Sequence, residues 1–130
     1  MELKKQTLTT TTIDSPAPVS VTLIELIGDV DGNTAPLVQA DVLAAAEPGV
    51  KIMLDMTAVG YMSSAGLRVL LSIYRQVSTQ EGKVILVGLV EEIKDTMSVT
   101  GFLDFFTTAD TLDQAFAVLG LVAPLSVPTL

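Results

Sequence analysis

The distribution of apolar and β-branched residues predicts two strands in the first part of the chain. Leu3–Thr12 is rich in threonine, which suits a strand at the edge of a sheet. Pro16 and Pro18 then mark a turn. Val21–Ile27 alternates in part between apolar and polar residues, so it predicts a second strand that runs antiparallel to the first.

A helix is predicted next, and it stops before the turn at Pro48–Gly49. Pro36 fits the first turn of this helix, where its missing N–H costs no hydrogen bond. Leu37, Ala40 and Ala44 follow at helical spacing, and we expect them to form its buried face.

Two short apolar strands flank the most clearly amphipathic helix of the chain. Lys51–Asp55 is typical of a short buried strand, and Lys83–Leu89 of a strand covered on both faces. The helix between them ends at Gly82. Its predicted buried stripe has helical spacing and consists of Leu67, Leu70, Leu71, Tyr74 and Val77.

The last third of the chain predicts two more helices. Glu91–Thr100 carries acidic residues in its first turn and is followed by Gly101 as a candidate C-cap. Phe105–Phe106 is the candidate for one more short strand. Thr111 and Gln114 fit a capping box at the start of the final helix. The apolar stripe of that helix is predicted to be Leu112, Ala115, Phe116 and Leu119, with Gly120 after it.

The predicted element order is ββαβαβα(β)α, which defines an α/β domain with about four helices. Strand–helix–strand units give parallel neighbours with right-handed crossovers, so we expect a mixed sheet. The whole chain, residues 1–130, is expected to be one domain with its core at about 3–119 and a tail at 120–130. In that tail, Leu125, Val127 and Leu130 could pack on the domain, pair with a partner or fray.

Composition excludes several classes of function. The chain has 130 residues, 49% of them hydrophobic, and a formal net charge of −8, which argues against binding nucleic acid or an anionic membrane. It has no Cys and no His, so thiolate nucleophiles, Ser-His-Asp triads, zinc-thiolate sites and His-ligated metals are absent. We therefore expect no metal and no cofactor. No apolar segment has the length of a signal or a membrane span, so a cytoplasmic protein is the expectation.

The stretch Leu54–Arg68 (LDMTAVGYMSSAGLR) carries the most specific information. A strand ends, a loop follows, and a helix starts at two consecutive serines. Ser63 is a sound N-cap, which places Ser64 at the first helical position beside amides without intrahelical partners. Gly66 costs about 1 kcal/mol of helix propensity relative to Ala. It either packs closely on a neighbour or keeps the helix entrance open for another molecule.

This stretch closely resembles the signature of STAS domains, and more narrowly that of bacterial anti-sigma factor antagonists. In that family a strand ending in Asp is followed by a loop and then by Asp-Ser-Ser/Thr/Ala-Gly-Leu at the start of a helix. Gly28–Asp31 resembles the other local motif of the family, and the element order also agrees. The resemblance covers roughly Leu3–Leu119 and implies a STAS-like fold.

The resemblance implies a phosphorylation site. In the family a partner that is both serine kinase and anti-sigma factor phosphorylates the serine after the Asp, which corresponds to Ser64. The sequence departs from the family at Ser63, where Asp is usual, so Ser63 is an alternative acceptor. The environment of the site would comprise Asp31, Met62, Ser63, Ala65, Gly66 and Arg68.

Three of these residues have alternative interpretations, and one residue of the preceding strand has an expected structural role. Asp31 could orient the Ser64 hydroxyl or repel an added phosphate, or it could be a turn residue beside Gly32. Arg68 is four residues after Ser64 and could pair with a phosphate, or it could be an ordinary solvated side chain. Met62 is more typical of core than of interface. Asp55 is expected to terminate its strand and to organise the loop.

The implied function is that of an anti-sigma factor antagonist that is not an enzyme. When unphosphorylated it would sequester a serine-kinase anti-sigma factor, phosphorylation of Ser64 would release that partner, and a serine phosphatase would reset the protein. The alternative is a stand-alone STAS module in another signalling complex, or one that binds a small ligand. Catalysis by Ser64 would lack a histidine base, and a receiver domain phosphorylated on Asp55 would lack the expected repeating βα order.

Overall fold

The computed structural model describes residues 1–124 as a five-stranded mixed sheet with four α-helices. The element order ββαβαβαβα confirms the prediction. The strands lie in the order β1-β2-β3-β4-β5 across the sheet. The strands are β1 (Glu2–Thr12), β2 (Ser15–Ile27), β3 (Lys51–Ala58), β4 (Lys83–Val87) and β5 (Thr107–Ala109). The helices are α1 (Ala35–Leu43), α2 (Ser64–Thr79), α3 (Glu91–Val99) and α4 (Leu112–Val118), and a short 3₁₀ helix spans Phe102–Phe105.

The first two strands form an antiparallel hairpin, and its turn is not where the prolines predicted it. The chain turns at Ile13 and Asp14, whereas Pro16 and Pro18 lie inside β2. Proline is tolerated there because β3 pairs with β2 only from Thr22 onward, so this part of β2 has a free edge. The predicted turn at Pro16 and Pro18 is therefore wrong, and both prolines lie in the part of β2 that does not pair with β3.

Strands β2 to β5 are parallel, and the sheet separates two apolar clusters. Alternate residues of β4 contribute to each cluster, as predicted for a strand covered on both faces. Helices α1, α2 and α3 pack on one face, with Val38, Leu70 and Met97 among their buried residues. Helix α4 covers part of the other face through Ala115 and Phe116.

The buried face of α1 differs from the predicted one. Leu37 is 44% exposed, and Ala40 and Ala44 are also exposed. The helix buries Ala35, Val38 and Val42 instead. Both faces of this helix carry apolar residues, so spacing alone did not fix its rotation. The two valines fill the space against the sheet and α2.

Helix α2 has the predicted N-terminus and most of the predicted stripe. It buries Leu67, Leu70, Ile73 and Val77, whereas Leu71 and Tyr74 are only half-buried. The continuous stripe thus passes through Ile73, a residue absent from the prediction. Tyr74 contacts aromatic side chains outside the helix.

Those aromatic contacts explain why Phe105–Phe106 does not form a strand. The ring centroid of Tyr74 lies 6.3 Å from that of Phe105 and 5.5 Å from that of Phe106. Gly101 adopts a left-handed φ of 79° after α3, as expected for its C-cap role, and the 3₁₀ helix follows it. The phenylalanines hold this turn against α2, and β5 begins only at Thr107.

The final helix begins at the predicted cap. The Thr111 side chain accepts a hydrogen bond from Gln114 N at 3.2 Å. The Gln114 side chain reaches back to Asp110 N rather than to Thr111 N, so the capping box is displaced by one residue. After Gly120, Leu121 forms an antiparallel bridge with Thr12. The expectations for Leu125, Val127 and Leu130 lie outside the described residues.

Candidate functional site

The site lies where the loop after β3 meets the start of α2. Ser63 is the N-cap: its hydroxyl accepts from Gly66 N at 3.3 Å, and its carbonyl accepts from Leu67 N at 3.0 Å. Ser63 N donates to Val30 O at 2.9 Å. The half-buried Ser63 is thus held by backbone groups on both sides. This confirms the predicted cap.

Ser64 is the first residue of α2, and it is exposed. Within residues 1–124 its hydroxyl has no hydrogen-bond partner. The amides of Ser64 and Ala65 likewise have no partner in this range, as is usual for the first turn of a helix. The structure therefore presents one free hydroxyl next to two free backbone donors.

Gly66 is required by close packing inside the protein. A Cβ at this position would lie 2.7 Å from Met62 Cγ, 2.7 Å from Val30 O and 2.9 Å from Val30 Cγ1. Of the two interpretations of Gly66, the structure supports packing on a neighbour. Met62 is only 8% exposed, so it belongs to the core beneath the site and not to the surface around Ser64.

The loop that carries Asp31 lies beside the loop that carries the serines. Val30 and Met62 form an isolated parallel bridge, in which Val30 N donates to Tyr61 O at 3.0 Å. The two motifs quoted from the sequence, although about 30 residues apart in the chain, are therefore joined by backbone hydrogen bonds.

The side chain of Asp31 organises its own turn. Its Oδ1 accepts from Asn33 N at 2.9 Å, from Thr34 N at 3.1 Å and from Thr34 Oγ1 at 3.3 Å. The backbone donors at Asn33 and Thr34 lower the pKa of this carboxyl below its ordinary value, because they favour the charged form. No hydrogen bond joins Asp31 to Ser64 among the described residues. The structure therefore shows Asp31 in its turn role and not orienting the Ser64 hydroxyl, whereas repulsion of an added phosphate stays a prediction.

Arg68 lies one helical turn after Ser64, and its side chain is exposed. In the described part of the chain no carboxylate lies within ion-pair distance of it. Together with Ala65 it lines an open groove of about 320 Å³ between α1 and α2. A hydrogen bond of 3.1 Å between Gln39 Nε2 and Ser72 Oγ crosses between the two helices. Nothing in the sequence analysis indicated this groove.

Tyr61 is a further exposed residue at the site that the sequence analysis did not select. It is 55% exposed and directly precedes Met62. With Glu92 and Thr96 it lines a second, smaller groove between this loop and α3. An aromatic residue just before the two serines was the sequence feature that could have indicated this contact surface.

Asp55 is buried and does not end its strand. It is 3% exposed, and β3 continues through it to Ala58. Its Oδ1 accepts from both the backbone N and the hydroxyl of Thr57. The expectation that Asp55 terminates the strand is wrong, and the hydrogen bonds of its side chain stay within β3 and do not reach the loop that it was expected to organise.

No helix within residues 1–124 is long and apolar enough to cross a membrane. No three acidic side chains in the same range are grouped so that they could hold a metal ion.

The chain belongs to the STAS domain family, whose model matches residues 12–115. Two curated relatives are anti-sigma factor antagonists by name. A proposed anti-sigma factor antagonist of Bordetella bronchiseptica, BtrV, is 30% identical over 100 residues, which cover 76% of this chain and 86% of BtrV. The anti-sigma-B factor antagonist of Bacillus subtilis is 28% identical over 81 residues, which cover 62% of this chain and 74% of that protein.

Solved structures share the fold at low sequence identity. The phosphorylated form of the Bacillus cell fate determinant SpoIIAA superimposes with a TM-score of 0.63 at 16% identity, over 91% of this chain and 99% of SpoIIAA. The murine anion transporter Slc26a9 gives a TM-score of 0.68 at 12% identity, over 90% of this chain and 22% of the transporter. The fold therefore occurs both in small regulators and inside a transporter.

Proposed function

We propose that this protein is a phosphorylation-switched anti-sigma factor antagonist and that Ser64 is its phosphoacceptor. The observation that carries the proposal is the contrast between the two serines. The Ser64 hydroxyl is exposed and has no partner in the described structure, whereas the Ser63 hydroxyl caps α2. A kinase can reach Ser64 without breaking the cap. Phosphorylation of Ser63, in contrast, would require its hydroxyl to give up the hydrogen bond that caps α2.

The start of α2 can carry a phosphoryl group without unfolding. Phosphorylation adds about −1.5 to −2 charges near neutral pH. The free amides of Ser64 and Ala65, together with the helix dipole, offset part of this charge. Arg68 is one turn away and can pair with the phosphate, since no protein carboxylate within residues 1–124 competes for it.

The same group would be incompatible with a partner that buries the site. A surface that fits an unmodified serine would meet a bulky dianion, on a protein that already has a net charge of −8. An uncompensated charge in an interface costs several kcal/mol, which is orders of magnitude in affinity. No large conformational change of the antagonist is needed for release.

The partners follow from this mechanism. The unmodified protein sequesters a serine-kinase anti-sigma factor and so frees a sigma factor, and a serine phosphatase restores the unmodified form. The protein acts as a substrate and a binding partner, not as a catalyst. Tyr61, Ala65 and Arg68 are the exposed or half-buried residues placed to contact the partner, whereas Met62 and Gly66 support them from below.

Ser63 stands where relatives usually have Asp, which changes the charge of the site but not its cap. Ser and Asp cap helices about equally well. We expect Ser63→Asp to fold normally and to remain phosphorylatable on Ser64. We expect Ser63→Ala to lose about 1 kcal/mol of stability but to keep the acceptor.

The test is affinity capture from a lysate of the native organism, followed by a binding titration with the captured partner after its purification. We expect wild type and Ser64→Ala to retain a kinase-like anti-sigma factor, and Ser64→Asp to lose it. Equal capture by all three forms would show that charge at Ser64 does not control binding. Capture of a signalling assembly without a sigma-factor regulator would instead favour the alternative STAS function.

A further inference from the structure

A cleft of about 290 Å³ lies at the end of the sheet away from Ser64. It exists because β5 has three residues and β4 has five, so that the start of β4 pairs with β3 on one side but has no neighbouring strand on the β5 side. The cleft opens between α2 and the last residues of α4. Its lining residues are Tyr74, Ser78, Gly82, Lys83, Val84, Ile85, Thr107, Val118 and Leu119.

Among the described residues, the backbone N–H of Val84 has no partner at this cleft. Lys83 N donates to Val50 O on the β3 side, and Gly88 N donates to Ala109 O on the β5 side. Because N–H groups alternate along a strand, the Val84 N–H points towards the β5 side. The β5 register starts only opposite Ile85, and no acceptor for Val84 N occurs among the described residues. Val84 lines the cleft, so its N–H is available to a ligand there.

Other donors line the same cleft. The hydroxyls of Tyr74, Ser78 and Thr107 make no hydrogen bond within residues 1–124. Lys83 has no carboxylate within ion-pair distance in that range. No acidic side chain lines the cleft, although the protein as a whole is strongly acidic.

We propose that this cleft binds a small monocarboxylate. One carboxylate oxygen accepts from Val84 N–H, the ammonium group of Lys83 lies beside the charge, and the apolar part of the ligand contacts Val118 and Leu119. The volume of the cleft is at the lower end of the volumes usual for ligand-binding sites, so the ligand must be a small molecule. A few convergent donors on an apolar wall are the usual composition of such sites.

This site is independent of the proposed role of Ser64. Ser64 starts α2 and Ser78 lies in its last turn, so the two sites are about 20 Å apart along the helix axis. Ligand binding can therefore be tested with unphosphorylated protein and without any partner. Failure of the phosphorylation switch would leave the ligand test unaffected.

The experiment is a titration of the full-length, isotope-labelled protein with benzoate, followed through the backbone amide signals. We expect saturable shifts centred on the Val84 amide and extending to Thr107 and Leu119. The uncharged analogue benzamide should bind at least fivefold more weakly, because it lacks the charge that Lys83 and the free donors favour. Equal binding of benzamide would overturn the assignment to carboxylates.

Three variants locate the site. Lys83→Gln should weaken benzoate about fivefold, the upper end for one exposed ion pair. The control Lys94→Gln, on α3, should change nothing. Val118→Trp should block the cleft, and because Val118 is 53% exposed the variant should still fold, as its amide spectrum will show. Unsaturable shifts spread over several lysines, no shift at Val84, or full binding by Val118→Trp would each overturn the proposal.

Discussion

Gly66→Ala tests the packing that holds the two loops of the site together. The added Cβ would meet Val30 O and Met62 Cγ, each at 2.7 Å. Met62 is a flexible side chain and can move, but Val30 O is a backbone atom that already accepts from Ser63 N. Val30 N is also bonded to Tyr61 O, so the carbonyl cannot retreat without disturbing the loop that precedes Ser64.

The expected net effect of Gly66→Ala is a loss of stability. Overpacking of this kind costs about 1–3 kcal/mol, and a contact with backbone belongs in the upper part of that range. Alanine recovers about 1 kcal/mol through its better helix propensity. The free energy of unfolding should therefore fall by about 1–2 kcal/mol. For a chain of this size that corresponds to a decrease in Tm of roughly 4–8 °C.

Urea unfolding followed by circular dichroism measures this difference. The matched control is Gly60→Ala in the same loop, where a Cβ would meet no atom within 4 Å. We expect the control to change the free energy of unfolding by less than about 0.5 kcal/mol. If Gly66→Ala were as stable as wild type or more stable, the gain in helix propensity would exceed the cost of the close contacts. Close packing would then not be the reason for glycine at this position.

Three further predictions concern the rest of the fold. The pKa of Asp31 is lowered in the folded state, so its contribution to stability is present above the ordinary pKa of an Asp carboxyl and is lost as the pH falls through the folded pKa. The difference in free energy of unfolding between wild type and Asp31→Ala, measured by urea unfolding, should therefore shrink from pH 6 to pH 3. Lys4 Nζ lies 3.9 Å from the buried carboxylate of Glu25. Lys4→Met should destabilise the protein by about 1 kcal/mol, because it leaves the Glu25 carboxylate without its partner. Adding Glu25→Gln to Lys4→Met should recover most of that loss. If the losses of the two single variants simply added in the double variant, the pairing would be refuted. Thr111→Ala should cost about 1 kcal/mol through loss of the α4 cap, and an unchanged thermal midpoint would show that the cap contributes nothing.

The fold class and the position of the serines were predictable because both depend on local signals. Helical spacing and the caps at Ser63 and Thr111 are encoded within a few residues, and both caps are present. The rotation of α1 was not predictable, because apolar residues lie on both of its faces and packing against the sheet decides between them. The turn at Phe105 depends on Tyr74, about 30 residues earlier in the chain, and periodicity contains no information about such contacts.

In the candidate site, too, local features were predictable from the sequence and contacts between distant segments were not. The exposed position of Ser64 follows from its place after an N-cap, which the sequence predicts. The contact of Gly66 with Val30 and the use of Asp31 in its own turn depend on how two distant loops meet. Only the three-dimensional structure distinguishes those roles from the alternatives that the sequence left open.

The switch proposed for this protein depends on the hydroxyl of Ser64 accepting the phosphoryl group that controls binding. The most direct test is intact-mass measurement and fragment mapping of the protein purified from its own organism, with Ser64→Ala expressed in parallel. We expect a single phosphoryl adduct that maps to Ser64 and is absent from Ser64→Ala. An adduct on Ser63 or on any other residue, or an adduct that persists in Ser64→Ala, would contradict it.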